Sequence, residues 1–202
     1  MDYDILVNKS HSLPYDYVPN DLIEIDKKYS IKGKAKKDAC NAFIKMAKDA
    51  EKLNLSIINE SAYRSYDRQK ELFDIEYNIK KDDALKSIAL PGYSEHQTGL
   101  AFDICTRNNN MYEIENTDEF TWLSKHAYEY GFILRYPKGK ENITGYIYEP
   151  WHFRYLGTNL AKKVYESNLT YDEYYGQNKK PLWGFYLFLN IGSSFSARFN
   201  VE

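Results

Sequence analysis

The sequence predicts an α+β fold, one domain with a mostly antiparallel sheet flanked by helices. Three observations predict it. Helical periodicity and strand alternation both occur along the chain, without the regular βαβ order of a doubly wound fold. The chain has 202 residues, one domain's worth, enough to bury roughly 70% of its unfolded surface. Hydrophobic residues make 43% and charged residues 28%, which is ordinary globular usage and excludes general disorder.

Each element follows in order. Residues 12 to 20 carry Pro14 and Pro19 among tyrosines and read as extended surface chain. From Lys37 to Asn54, Ala39, Phe43, Met46, Ala47, Ala50 and Leu53 fall on one helical face. Leu55 to Glu60 reads as a short strand. Ser65 is the N-cap of a helix from Tyr66 to about Asn78. Pro91-Gly92 marks a turn, and Leu100 to Ile104 alternates as a half-buried strand does. Asn116 with Glu119 forms a capping box for a helix ending at Gly131, a good C′ residue. Phe132 to Tyr136 is a strand, Pro137 to Thr144 a charged turn, and Tyr146 to Tyr155 a strand interrupted by Pro150. Short helices follow over Asn159 to Ser167 and Tyr171 to Tyr175.

Charge and cysteine usage exclude several classes. With 27 basic against 29 acidic residues the net charge is -2, so no nucleic-acid partner is expected. Two cysteines without close spacing exclude a disulfide framework and a cysteine zinc cluster. Cys105, two strand positions from Asp103, is a buried thiol, and so is Cys40 on the first helix. The twenty tyrosines read as coding bias of the source genome, with a wet aromatic binding surface as the alternative. The start has no basic n-region and no apolar h-region. No stretch approaches the ~20 apolar residues of a membrane span, and Leu182 to Ile191 is about half that length. The expectation is a soluble protein, cytoplasmic as written; an ectodomain freed of its signal or anchor would look identical.

The informative residues are two of the four histidines. One lies in Ser94-Glu95-His96-Gln97-Thr98-Gly99-Leu100-Ala101-Phe102-Asp103, just before a glycine turn, with an acid on the next strand. The other lies in Glu149-Pro150-Trp151-His152, where Pro150 forces Glu149 into extended backbone. Two histidines and a carboxylate are a standard three-ligand set for catalytic zinc, with the fourth position left to water. An extra glutamate beside a ligand supplies the general base. The bland alternative is a pair of satisfied core or surface histidines. His126 reads as a packing or surface histidine, and His11 carries no assignment. Glu95, next to His96, is a second acid or, more simply, a surface or supporting residue.

These segments, in this order, resemble the zinc D-Ala-D-Ala carboxypeptidases of the VanY type, with the related L,D-carboxypeptidase LdcB and the VanX and VanXY peptidases. The resemblance takes in Leu6-Val7-Asn8-Lys9, Ser61-Ala62-Tyr63-Arg64-Ser65-Tyr66 with Gln69, and Pro91 through Gly99. It continues through Tyr130-Gly131-Phe132-Ile133-Leu134-Arg135-Tyr136, Ile143-Thr144-Gly145 and Glu149 through Tyr155. It implies zinc held by His96, Asp103 and His152, with Glu149 as catalytic base, all in a cleft on the sheet. Arg64 matches an arginine used against the substrate's carbonyl or its carboxylate. Gln69 and Ser94 match positions that help hold the terminal carboxylate. Trp151 lines the pocket or simply packs beside a ligand. The implied partner is a peptidoglycan stem peptide or precursor ending in D-Ala. The alternatives are L,D-cleavage of a tetrapeptide stem, decided by loops such as Tyr77 to Leu90, a wall-lytic endopeptidase with an open cleft, and a non-catalytic zinc-stabilised binding module. The resemblance implies a catalytic domain over residues 1–176. Residues 177–202 are an extension of unknown role.

Overall fold

The computed structural model describes residues 3–178. The elements run β1 (Leu22–Glu24), β2 (Lys34–Lys36), α1 (Lys37–Glu51), β3 (Ile58–Ser61), α2 (Tyr66–Lys80), α3 (Ala84–Ser87), β4 (Ala101–Cys105), α4 (Asp118–His126), β5 (Phe132–Tyr136), α5 (Glu141–Thr144), β6 (Glu149–Tyr155), α6 (Thr158–Ser167) and α7 (Tyr171–Asn178). The main sheet has the order β3-β4-β6-β5, with every neighbouring pair antiparallel, and β1 pairs with β2 in a separate two-stranded sheet. The expected α+β architecture is therefore observed.

Period-two alternation splits the sheet into an apolar and a polar face. Phe102 and Ile104 of β4, Phe132 of β5 and Phe153 of β6 are buried in one core with Ala39, Phe43, Met46, Ala47 and Ala50 of α1. The Phe43 and Phe102 rings stack at 5.0 Å, and Phe132 meets Phe102 edge-on at 5.4 Å. Burying each such aromatic contributes about 2–3 kcal/mol before entropy is counted. The intervening positions, Asp103 of β4, His152 and Arg154 of β6 and Arg135 of β5, turn to the other face.

Several boundaries depart from the sequence reading. α1 stops at Glu51, so Leu53 is exposed beyond the core stripe, and Asn54 reverses the chain with φ +62°. The cap of α4 is Thr117, whose hydroxyl accepts the Phe120 N–H at 3.2 Å; the Asn116–Glu119 capping box does not form. Glu119 instead accepts the Ser56 N–H at 2.9 Å, tying α4 to the chain before β3. Ser65 does cap α2, accepting from Arg68 N at 3.2 Å. Gly131 closes the 3-10 turn after α4 with φ +90°, and a Cβ there would lie 2.7 Å from the Tyr155 ring. β6 begins at Glu149, and the charged turn before it contains α5. The β1–β2 pair and α3 carried no sequence signal of their own. The extension 177–202, with the apolar run Leu182 to Ile191, lies outside the described residues except for Gln177 and Asn178. Among the described residues no helix is long and apolar enough to cross a membrane.

Candidate active site and metal centre

The β4–β6 register sets Asp103 directly opposite His152. Opposed side chains of an antiparallel pair stand about 5 Å apart at Cβ, so sheet pairing alone brings this acid and this imidazole together. His96 arrives from a different element, a 3-10 turn over Glu95–Thr98 that ends at Gly99 with φ +69°. A Cβ at Gly99 would come within 2.9 Å of Leu22 Cδ2 and 3.2 Å of the Lys36 amide, so β1–β2 leaves room only for glycine. The turn is pinned from the other side, where the Arg64 N–H donates to the His96 carbonyl at 3.1 Å.

Each of the two imidazoles turns one ring nitrogen toward the same carboxylate. His96 Nδ1 donates to the Ala62 carbonyl at 2.6 Å, leaving Nε2 at 3.1 Å from Asp103 Oδ2. His152 Nε2 faces Glu95 Oε2 at 3.4 Å, leaving Nδ1 at 3.2 Å from Asp103 Oδ1. That last contact is close but not aligned as a hydrogen bond, and the buried Asp103 Oδ1 has no hydrogen-bond partner. An orphaned carboxylate oxygen in a buried site is costly unless something else occupies its lone pairs. The donor atoms of His96, Asp103 and His152 all lie within 4.8 Å of one another, the grouping among the described residues able to hold a metal ion. Two neutral-imidazole lone pairs and a carboxylate are the donors zinc takes, and the orphaned Asp103 oxygen is accounted for by such an ion. Zinc is the cofactor this set fits.

Charge follows from burial. Burial pushes the Glu149 carboxyl up to about 7, and the negative charge of Asp103 adds to the push against His152 and Arg64. Burial alone would lower His152, but Asp103 and Glu95 outweigh it and raise the imidazole to about 9 without an ion. His96 is lowered by burial. Asp103 stays well below the usual carboxylate range because the two histidines outweigh its desolvation. A carboxyl poised near neutrality beside a metal set is what a general base requires.

Arg64 sits at the end of the β3–α2 connection. Its Nη1 donates to Gln69 Oε1 at 2.8 Å, and Nη2 donates to Ser61 Oγ at 3.1 Å, with Asp103 Oδ2 at 3.5 Å. Gln69 is buried, and its amide nitrogen donates to the Ala89 carbonyl at 2.7 Å. Both ends of that amide are thus engaged, one of them on Arg64. A single cleft of about 620 Å³ is lined by Arg64, Gln69, Ser94, His96, Asp103, Glu149, Trp151 and His152, every site residue named from the sequence.

The sequence reading missed other walls of this cleft. Tyr136 packs against the His152 ring at 4.9 Å and Tyr146 against Tyr136 at 5.1 Å. Tyr112 meets Trp151 edge-on at 5.1 Å, and α2 contributes Leu72, Ile75, Glu76 and Lys80. The segment Tyr77 to Leu90, which the sequence did single out, supplies Ser87, Ile88 and Ala89. Glu95 is not on the surface: it is fully buried between Arg135 and Arg154. The signal for it was present, as Arg135 inside the apolar run Phe132–Tyr136 needs a buried acid. Cys105 stands outside the metal grouping; burial and then Glu60 push its thiol up to about 12. His126 stacks on Trp122 at 5.3 Å, and His11 is exposed beside Asn8. The N-terminal Asn8 donates to Asp172, and Lys9 to the Leu85 carbonyl, so that segment ties α7 and α3 to the domain.

A cleft with a three-donor metal set, a neighbouring carboxyl near neutrality and a clamped arginine defines a metal-dependent hydrolase. Residues 32–158 match the VanY family, described as D-alanyl-D-alanine carboxypeptidase, and the chain belongs to that family. It is 45% identical over 184 residues to YodJ, a candidate carboxypeptidase of Bacillus subtilis, covering 87% of this chain and 67% of that protein. It spans 47% and 56% of two D-alanyl-D-alanine carboxypeptidases from Enterococcus faecalis and Enterococcus faecium. Among solved structures, the LD-carboxypeptidase LdcB superposes with TM-score 0.80 at 43% identity, covering 87% of this chain and 86% of that one. VanYB in complex with D-alanine-D-alanine gives TM-score 0.75 at 31% identity over 88% of this chain and 99% of its own. A VanY variant from the VanB-type cassette, in complex with Zn(II), gives 0.73 at 32% over 85% and 98%.

Proposed function

We propose that the chain is a zinc carboxypeptidase that hydrolyses the C-terminal D-Ala from peptidoglycan stem peptides ending in D-Ala-D-Ala. The observation that carries this is the convergence of Glu149, Arg64 and the His96–Asp103–His152 set on one cleft. His96, Asp103 and His152 hold zinc. The ion, when bound, polarises the scissile carbonyl and acidifies a water. Glu149, held near 7 by burial, takes the water's proton and passes it to the leaving amine. Arg64, fixed by Gln69 and Ser61, presents its guanidinium to the developing oxyanion or to the terminal carboxylate. Gln69 acts through Arg64. Ser94 and Trp151 line the substrate's path. The activity belongs to residues 1–176, because the cleft lining runs from Glu60 to His152.

L,D-cleavage of a tetrapeptide stem is the second reading. It is favoured by the higher identity to LdcB, 43% against 31% for VanYB. Mass spectrometry of zinc-loaded protein with pentapeptide and tetrapeptide stems, with a chelated control, separates the two. Loss of one alanine from the pentapeptide alone supports the D,D reading, and loss from the tetrapeptide moves it to the L,D branch. Intact substrates with zinc bound would overturn both.

A further inference from the structure

Beneath the metal set lies a charge cluster that the reaction itself does not use. Glu95 Oε1 accepts from Arg135 Nε and from Arg154 Nη1, each at 2.8 Å. The side chains of all three residues are wholly buried. Both guanidiniums are anchored elsewhere. Arg154 Nη2 donates to the carbonyls of Tyr3 and Ile5 at 3.0 and 2.7 Å. Arg135 makes a two-pronged pair with Asp172 of α7. With Oε1 held by both arginines, Oε2 is the oxygen turned to His152 Nε2, at 3.4 Å.

The sheet explains why these groups meet. Arg154 lies two positions after His152 on β6, so the two side chains share a face. Arg135 lies two positions after Ile133, which pairs opposite Arg154, so alternation sends it to that same face. The extra residues of the β5–β6 register shift lie on β6, where Pro150, which has no N–H to offer a ladder, stands between the paired Glu149 and Phe153.

We infer that Glu95 is a positioning residue for the metal: held by Arg135 and Arg154, it fixes the tautomer and ring angle of His152 so that Nδ1 faces the ion. The inference rests on the reading of His152 as a zinc ligand. Oε1 of Glu95 accepts an N–H from each of two guanidiniums, the bonding of a carboxylate. An ionised carboxylate accepts only, so the facing His152 Nε2 must carry the proton, and the lone pair then resides on Nδ1. Carboxylate partners of ligating histidines typically contribute 10–100-fold in metal affinity.

The test uses the full chain and zinc itself. Glu95→Gln alone leaves two buried guanidiniums short of an anion, so the diagnostic variant is Glu95→Gln/Arg154→Met, which removes one negative and one positive charge together. Arg154→Met alone is the comparison, since it keeps the Glu95–His152 contact. Zinc affinity by chelator competition is expected to fall about 10–100-fold in the double variant and less than about threefold in Arg154→Met. The visible spectrum of the cobalt-substituted double variant should shift, and that of Arg154→Met should not. A merely structural role would lower the melting temperature of both while leaving affinity and spectrum alike. Folded double variant with unchanged affinity overturns the inference. Should the double variant not fold, Glu95→Asp decides it: the charge stays but retracts by one methylene, and unchanged affinity again overturns it. Full zinc occupancy in His152→Ala would instead sink the ligand assignment, which separates the two failures.

Discussion

Replacing Glu149 with glutamine should pull activity and stability in opposite directions. The side chain keeps its size but can no longer take a proton, and a positioned general base is worth about 10²–10⁴ in rate. Turnover should therefore fall by that factor, about 3–5 kcal/mol in barrier, with zinc content unchanged. The stability side follows from the raised carboxyl. It titrates at about 7 in the fold and near 4.5 in the open chain, so folding must carry an ionised carboxylate that prefers water. The sign is that of a raised acid: stability is lost as pH climbs from the unfolded value through the folded one, and the whole cost is present above about 7. The cost is about 3 kcal/mol once Glu149 is fully ionised. Glutamine removes it, so metal-free Glu149→Gln should melt roughly 5–10 °C above the metal-free parent at pH 8. At pH 5 only about 1 kcal/mol of that cost remains, so the gap should shrink to about 2–3 °C. Scanning calorimetry of chelated protein at both pH values, with turnover on the cleaved stem peptide, reads both effects. Turnover within tenfold of the parent, or no stability gain at pH 8, would refute the reasoning.

Other perturbations follow from the same geometry. His152→Ala should abolish zinc retention, read by elemental analysis after dialysis. In the parent, His152 is protonated below about 9 without an ion, so zinc uptake at pH 7 should expel close to one proton; calorimetry in buffers of different ionisation enthalpy counts it. The stabilising charge on His152 is complete below 6.5 and lost through about 9, so metal-free protein should weaken steadily toward alkaline pH. Arg64→Lys replaces a fork holding Gln69 and Ser61 with a point charge. Its kcat/KM should drop about 10²–10³-fold at constant zinc content, and a drop under threefold would remove Arg64 from the chemistry. Gly131→Ala places a Cβ 2.7 Å from the Tyr155 ring at φ +90°, and urea denaturation should show a loss of about 2 kcal/mol or more.

The residues that carry chemistry were legible because their spacing reports local geometry. Asp103 could be placed on a strand by alternation, and Pro150 flagged the bend that lets Glu149 and His152 share a cleft. What escaped depended on contacts between distant segments. The capping box at Asn116 failed because Glu119 had a competing partner in Ser56, 63 positions away in the chain. Gln69 was placed in the cleft from the sequence, but only the fold shows its amide engaged by Arg64 and the Ala89 carbonyl. β1 and β2 are three residues each and too short for any period to register. Their role at Gly99 is a matter of close approach. Glu95 is adjacent in sequence to a metal-site histidine, yet its partners come from β5 and β6.

The clasp between Arg135 and Asp172 also decides where this chain can be cut. The family match ends at residue 158, the first residue of α6, and leaves out α7. A fragment trimmed to that limit would strip Arg135 of Asp172, one of its two carboxylate partners, and would lose the Tyr171 hydroxyl that bonds the Asp4 carbonyl at 2.6 Å. A fragment that keeps these contacts must therefore run past the family match and take in α7.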